Sequence, residues 1–253
     1  GTAAILRLGH FFQMGGAQAV AAFAYGTRTV PKADRIVGPG NIYVAAAKKL
    51  LAGEVGIDFV AGPTEILLIA AGGKPALLAA DMLAQAEHDT DASAILLTTS
   101  RPLAEAVAAE IEKQLESLPT APTARVAIRK NSAILLVDSL DQAVELSNQF
   151  APEHLSIPSR SLLSKIRHAG SAFIGEYSPE AAGDYASGPN HVLPTNGAAR
   201  LRGGLSAADY VTVVSVQELS RKGLASILPA VSTLARAEGL EAHARSAEVR
   251  LNV

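Results

Sequence analysis

The sequence predicts an α/β fold in which mostly parallel sheets carry helices on both faces and a helical arm closes the carboxyl end. Three observations carry that prediction. Short apolar runs alternate with amphipathic stretches, Gly, Pro and Asn mark the joins, and the alternation stops after about residue 205. With 253 residues, 49% of them hydrophobic, the chain has ample material for a core.

After a Gly-rich opening, Asp34 to Val37 reads as a strand, Gly38-Pro39-Gly40-Asn41 as a turn, and Ile42 to Leu51 as a helix closed by Gly53. Ile66 to Ala70 reads as a buried strand, 75–88 as a helix, Ala94 to Thr98 as a strand and 102–117 as a helix with a charged face. A third round begins with the strand Ile134 to Val137. Ser139 and Gln142 have the spacing of a capping box for a helix that runs to about Phe150, where Ala151-Pro152 stops it. Leu155 to Ile157, a short helix near 160–168 and Ala172 to Gly175 complete the pattern. The Gly/Pro/Asn-rich stretch 175–204 reads as a functional loop, and the tail from Ser206 to about residue 248 as helical. In sheets of this class, ligands are expected beyond the carboxyl ends of the strands.

Composition narrows the chemistry. A net charge of −2 without any Lys/Arg run leaves no nucleic-acid footprint and no polybasic membrane patch. No Cys occurs, so disulfides, thiolate nucleophiles and sulfur-ligated zinc are excluded; a transition metal would need nitrogen and oxygen from His, Asp, Glu or Gln. No signal peptide is evident and the apolar runs are far too short to span a bilayer. The expectation is a soluble cytoplasmic protein whose partners are small molecules or its own copies.

Two polar tetrads stand out, Gln85-Ala86-Glu87-His88 and Ala151-Pro152-Glu153-His154. On a helix, Gln85 and His88 project from one face and can approach one ion, although alone the pair more often describes a solvated last turn. Glu153 and His154 lie between a helix stop and a strand, where catalytic groups find rigid support; alone they more often describe a polar turn. Neighbours in an extended segment point to opposite sides, so a joint role for these two requires local bending.

Together with Gly15-Gly16-Ala17-Gln18-Ala19, Gly38-Pro39-Gly40-Asn41, Ala61-Gly62-Pro63-Thr64-Glu65, Ala182 to His191 and Glu238-Gly239-Leu240-Glu241-Ala242-His243, these tetrads resemble the histidinol dehydrogenase family in order and over nearly the whole chain. That resemblance implies a zinc enzyme that oxidises L-histidinol to L-histidine through the aldehyde, with two NAD⁺. It implies zinc ligands Gln85, His88, Asp184 and His243, all nitrogen or oxygen donors as the missing Cys demands. His154 would be the base that takes the hydroxyl proton, and Glu153 would activate the water that adds to the aldehyde. Thr64, His191 and Glu238 would contact substrate along with the zinc ligands and His154, and Gln18 and Asn41 would contact NAD. His10 and His168 match nothing, and Glu65 and Glu87 sit inside motifs without an assigned role.

The resemblance further implies incomplete Rossmann-like sheets: residues 1–63 as part of the NAD-side domain, 64–205 as part of the main α/β domain, and 206–253 as a dimerisation arm exchanged within a homodimer. Family members extend considerably further at the amino end, so the chain reads as amino-terminally truncated. A dehydrogenase of another small polar alcohol, a metal-assisted hydrolase, and a non-catalytic fragment that binds metal or dimerises remain alternatives.

Overall fold

The computed structural model of the protein describes residues 2–60 and 62–252. Ala61, the first residue of the Ala61 to Glu65 motif, lies outside the described residues, as do Gly1 and Val253. The chain divides into two compact units, Gly1–Tyr210 and Val211–Val253.

The first unit opens with α1 (Thr2–Ile5) and α2 (Gly16–Tyr25), followed by β1 (Arg35–Ile36), α3 (Ile42–Leu51) and β2 (Gly56–Ile57). β1 and β2 pair in parallel, with α3 as the crossover that parallel pairing requires. α2 was hidden behind its glycines; only Ala19, Val20 and Ala24 are buried, too few to declare a period in so alanine-rich a run. A buried ion pair anchors this region. Lys48 and Asp58 have side chains 3% and 0% exposed, and together they hold Gly38 by both of its backbone groups. The Lys48 Nζ donates to the Gly38 carbonyl at 2.9 Å, and the Gly38 N–H donates to Asp58 Oδ2 at 2.8 Å. The Gly38 to Asn41 turn is therefore pinned from below.

The main sheet follows: β3 (Glu65–Ala70), α4 (Pro75–Ala86), β4 (Ser93–Thr98), α5 (Arg101–Leu115), α6 (Ala121–Asn131), β5 (Ala133–Leu136), α7 (Leu140–Phe150), β6 (His154–Ile157), a 3-10 turn Arg160–Lys165, β7 (Ser171–Ile174) and α8 (Glu180–Tyr185). All five strands are parallel, in the order β5-β4-β3-β6-β7. Central β3 is buried on both sides, which is why its sequence is a continuous apolar run. Ile66, Leu68 and Ala70 pack with Met82, Leu83, Val107 and Ala127 of α4, α5 and α6. Leu67 and Ile69 pack with Val144 of α7, Leu155 and Leu162 on the opposite face. Parallel sheet and two helical layers are thus as expected.

Several boundaries differ from the expectation. α4 ends at Ala86, so His88 lies beyond the helix; the Asp89 side chain accepts the Asp91 N–H at 2.9 Å and turns the chain away from helical continuation. α6 is absent from the sequence pattern, because its period is broken by a Pro, two Arg and a Lys around only two buried alanines. The stretch 175–204 contains α8 and a 3-10 turn, Ala198–Arg200. The Ser139 hydroxyl does cap α7, accepting from Gln142 N–H at 3.1 Å, but the Gln142 side chain reaches back to Asp138 N–H rather than to Ser139.

The second unit is a pair of helices, α9 (Arg221–Ala237) and α10 (Glu241–Asn252), turned by Gly239 in the left-handed conformation at φ 76°. Arg236 forks to Glu241 and Glu248 across the turn. The helical tail begins later than Ser206. Val211, Thr212, Val213, Val214 and Val216 form a β-branched run with poor helix propensity, and Ser220 starts α9 by accepting the Gly223 N–H at 3.1 Å.

Replacing Lys48 by Met leaves the Asp58 carboxylate buried without its counter-charge, and is expected to cost about 3–5 kcal/mol in urea unfolding. The same change at Lys74, whose pair with Glu176 is 67% and 39% exposed, is expected to cost less than about 1 kcal/mol. Equal losses at the two positions would contradict a special role for the buried pair.

Candidate active site

The polar residues singled out from sequence gather at the amino ends of the strands, not at the carboxyl ends expected for this class. The reason is topological. Thr64 and Glu65 start β3, Glu153 and His154 start β6, and each helix that follows a strand runs back, so α4 and α8 return Gln85 and Asp184 to that same edge. Pairing of Ile66 with His154 sets the register of the two strand starts.

A cavity of about 210 Å³ opens there, lined by Thr64, His88, Glu153, His154, Asp184 and His191 among others. Six of the eleven site residues read from sequence therefore share one cavity. Gln85 joins them through Thr64, since its Nε2 donates to Thr64 Oγ1 at 2.6 Å. Glu238 and His243 lie in the second unit, both exposed, at the end of α9 and the start of α10. Gln18 is exposed on α2. Asn41 caps α3, its oxygen accepting from Tyr43 and Val44 N–H at 3.1 Å, while its NH₂ has no bonding partner among the described residues.

Glu153 and His154 serve the same cavity because the chain bends between helix and strand. α7 closes on Ala151 in the left-handed conformation, φ 58° and ψ 62°, and Glu153 is a bend residue before β6. The turn depends on Gly170, whose missing Cβ would lie 2.6 Å from the Glu153 carbonyl oxygen. Glu153 Oε2 accepts from the Thr64 hydroxyl at 2.6 Å and from the Glu65 N–H at 3.0 Å. It stands 3.7 Å from His154 Nδ1, and Asp184 Oδ1 stands 3.8 Å from His154 Nε2. Both separations exceed a hydrogen bond, so this buried imidazole sits between two carboxylates with neither nitrogen bonded. The Phe173 ring, centred 5.9 Å away, walls it in, and Gly183 leaves room for that ring, because a Cβ there would lie 2.7 Å from it.

Burial dominates the electrostatics. It pushes the Glu153 carboxyl up to about 7, against its bonds from Thr64 and Glu65, and pushes Glu65 up to about 7 as well. It lowers the His154 imidazole, with the neighbouring Asp184 opposing, so the ring is held neutral. Two further carboxyls were not found from sequence. Asp81 on α4 rises to about 6 through burial, and Glu180, 3% exposed at the start of α8, rises to about 9 through burial and repulsion from Asp81, Asp184 and Glu153. Nothing in a Pro-Glu pair opening a short helix distinguishes a buried acid from a common surface one.

Gln85, His88 and Asp184 offer an amide oxygen, an imidazole nitrogen and a carboxylate oxygen, donors that a divalent cation accepts. Gln85 is fully buried, its NH₂ is committed to Thr64, and its Oε1 has no partner, which leaves an amide oxygen free for a cation. Gln85 is therefore no solvated end of a helix. Among the described residues no three His, Asp or Glu side chains are gathered as for a metal; the set here is one amide, one imidazole and one carboxylate, Gln85, His88 and Asp184.

The model of the histidinol dehydrogenase family matches residues 2–251. The histidinol dehydrogenase of Geobacter metallireducens is 54% identical over 95% of this chain and 56% of its own length, and that of Thermus thermophilus 52% identical over 94% and 59%. The crystal structure of histidinol dehydrogenase from Elizabethkingia anophelis superposes with a TM-score of 0.95 at 41% identity, covering 99% of this chain and 59% of that one. The chain thus spans a little over half the length of these relatives.

For Glu180, the stabilisation tied to its neutral form is complete below the ordinary carboxyl value of 4.5 and is lost as pH rises toward about 9. In metal-free protein, Glu180→Gln should therefore lose less Tm than the parent chain between about pH 5 and pH 9. Parallel Tm profiles would show that Glu180 is not held neutral.

Proposed function

The chain belongs to the histidinol dehydrogenase family, and from that premise we propose that it carries the zinc site and the acid–base pair of an NAD-dependent oxidation of L-histidinol to L-histidine through the aldehyde. The observation that supports this reading most is the shared cavity. A buried imidazole kept neutral and a carboxyl pushed up to about 7 line it, and the Gln85 amide, whose oxygen has no partner, is tied to it through Thr64.

In this reading Gln85, His88, Asp184 and His243 hold zinc, which when bound polarises and orients the amino alcohol. Gln18 and the free NH₂ of Asn41 would hold NAD⁺, which would supply the hydride acceptor. His154 removes the hydroxyl proton as the hydride leaves; a ring held neutral by burial is in the form this step needs. Glu153 accepts a proton from the water that adds to the aldehyde. Only its ionised form can do so, and a carboxyl near 7 is available at neutral pH while still basic enough to be useful. Thr64 and His191 border the substrate, and Glu238 adds negative charge toward its ammonium or imidazole N–H. Residues 1–63 then belong to the NAD-side domain, 64–205 to the main α/β domain, and 206–253 to a dimerisation arm that brings Glu238 and His243 to the other subunit's site. Among the described residues no helix is long and apolar enough to cross a membrane, in keeping with a cytoplasmic enzyme.

In the intact protein, His154→Asn is expected to depress both oxidation steps by about 10²–10⁴-fold, whereas Glu153→Gln should chiefly slow aldehyde to acid. NADH release from histidinol and from the aldehyde, followed separately, decides; small and equal effects on both halves would reject the division of labour. Mixing a His88→Ala chain with a His243→Ala chain should restore zinc binding and turnover in mixed dimers, since one kind of site then combines an intact body with an intact arm. No recovery after verified subunit mixing would argue for a site built within one chain.

A further inference from the structure

The geometry points to Thr64 as the positioning residue that decides which end of the Gln85 amide faces the metal, through a one-way hydrogen-bond chain that ends on Glu153. This deepens the zinc-site reading above and rests on it. A threonine hydroxyl has one proton to give and two lone pairs to receive. Glu153 Oε2, when ionised, is an acceptor only, and Thr64 Oγ1 lies 2.6 Å from it, so the single hydroxyl proton is spent there. What approaches the Thr64 oxygen from Gln85, also at 2.6 Å, must then be a donor, which on that side chain is the NH₂ group alone.

The consequence is directional. With Nε2 fixed on Thr64, Oε1 must point away, and it does so without any protein partner although Gln85 is fully buried. An amide nitrogen has no lone pair to offer a zinc ion, and an amide oxygen has. The orientation that Thr64 imposes is therefore the ligating one. Rotation of the amide by half a turn would set its oxygen against the hydroxyl oxygen, two acceptors with one proton that already belongs to Glu153. The backbone reinforces the arrangement, because Glu65 N–H holds the same Glu153 oxygen at 3.0 Å and keeps it in place to receive the Thr64 proton. Serine would preserve every link of the chain; valine, nearly the same shape, would break both.

The test is zinc affinity of the full purified chain, read by competition with a chromogenic chelator, with Tm of the metal-free protein alongside. Thr64→Val should weaken zinc by about 10–100-fold, as loss of a group that orients a ligand does, while Thr64→Ser stays close to the parent. Unchanged affinity in Thr64→Val, or an equal loss in Thr64→Ser, would overturn the proposal. Should Thr64→Val fail to fold, Thr64→Ala removes the same hydroxyl and is judged by the same outcomes. Gln85→Ala and His88→Ala separate the two levels. If both bind zinc like the parent, the metal site itself is misassigned and the proposal falls with it; if they lose zinc while Thr64→Val keeps it, only the role of Thr64 fails.

Discussion

Parallel pairing of β3 with β6 is the constraint on which the site depends. It sets Ile66 opposite His154, which brings the residues just before each strand, Thr64 and Glu153, close enough for a 2.6 Å hydrogen bond. The two segments are 89 positions apart in the chain and share nothing locally. The pairing holds because β3 is buried on both faces: alternate side chains feed two separate cores, so a slip of one residue would exchange Ile66 and Leu68 for Leu67 and Ile69 against the wrong helices. Register specified for packing thereby also specifies the geometry of the candidate site. Helices that run back along the strands then deliver Gln85 and Asp184 to the same edge.

Much of this was legible in the chain. The apolar runs located the strands, and the two tetrads, with Thr64, Asp184 and His191, located the cavity, because motif order carries information that no single motif has. What escaped has physical reasons. α2 and α6 each bury only two or three small side chains, so their periodicity is faint. His88 was read on a helix that stops two residues earlier, since a side chain bonded to its own backbone at Asp89 competes with helical continuation. Which end of the strands bears the site follows from where the first polar residues enter each strand, and the general preference for carboxyl ends misled there. Asp81 acquires its unusual state from burial, and Glu180 from burial and the repulsion of neighbouring carboxylates, neither of which composition encodes.

The Ala151 to His154 segment shows how a local rule gives way to tertiary context. Extended neighbours diverge, yet Glu153 and His154 address one cavity, because Ala151 adopts a left-handed conformation that usually favours Gly and Glu153 then bends before β6. Two ladder bonds fix the bend from outside: Gly170 N–H reaches the Pro152 carbonyl and Ser171 N–H reaches that of Glu153, each at 2.9 Å. Backbone strain at Ala151 is held by a strand that could not approach so closely if residue 170 had a side chain.

Burial of carboxyls is costly to the fold and useful to the chemistry proposed for it. Glu65, Glu153, Glu180 and Asp81 are all pushed toward their neutral forms, so in the folded chain the interior carries less negative charge than its composition implies. On Glu153 two donors to one oxygen, from Thr64 and from the Glu65 N–H, favour the ionised form against burial. That balance keeps it near the pH at which it can both lose and accept a proton. Burial acts on His154 in the opposite sense and leaves it a neutral base. Burial in one cavity thus acts on an imidazole and a carboxyl in opposite senses, lowering the one and raising the other, while two hydrogen bonds temper the rise at the carboxyl.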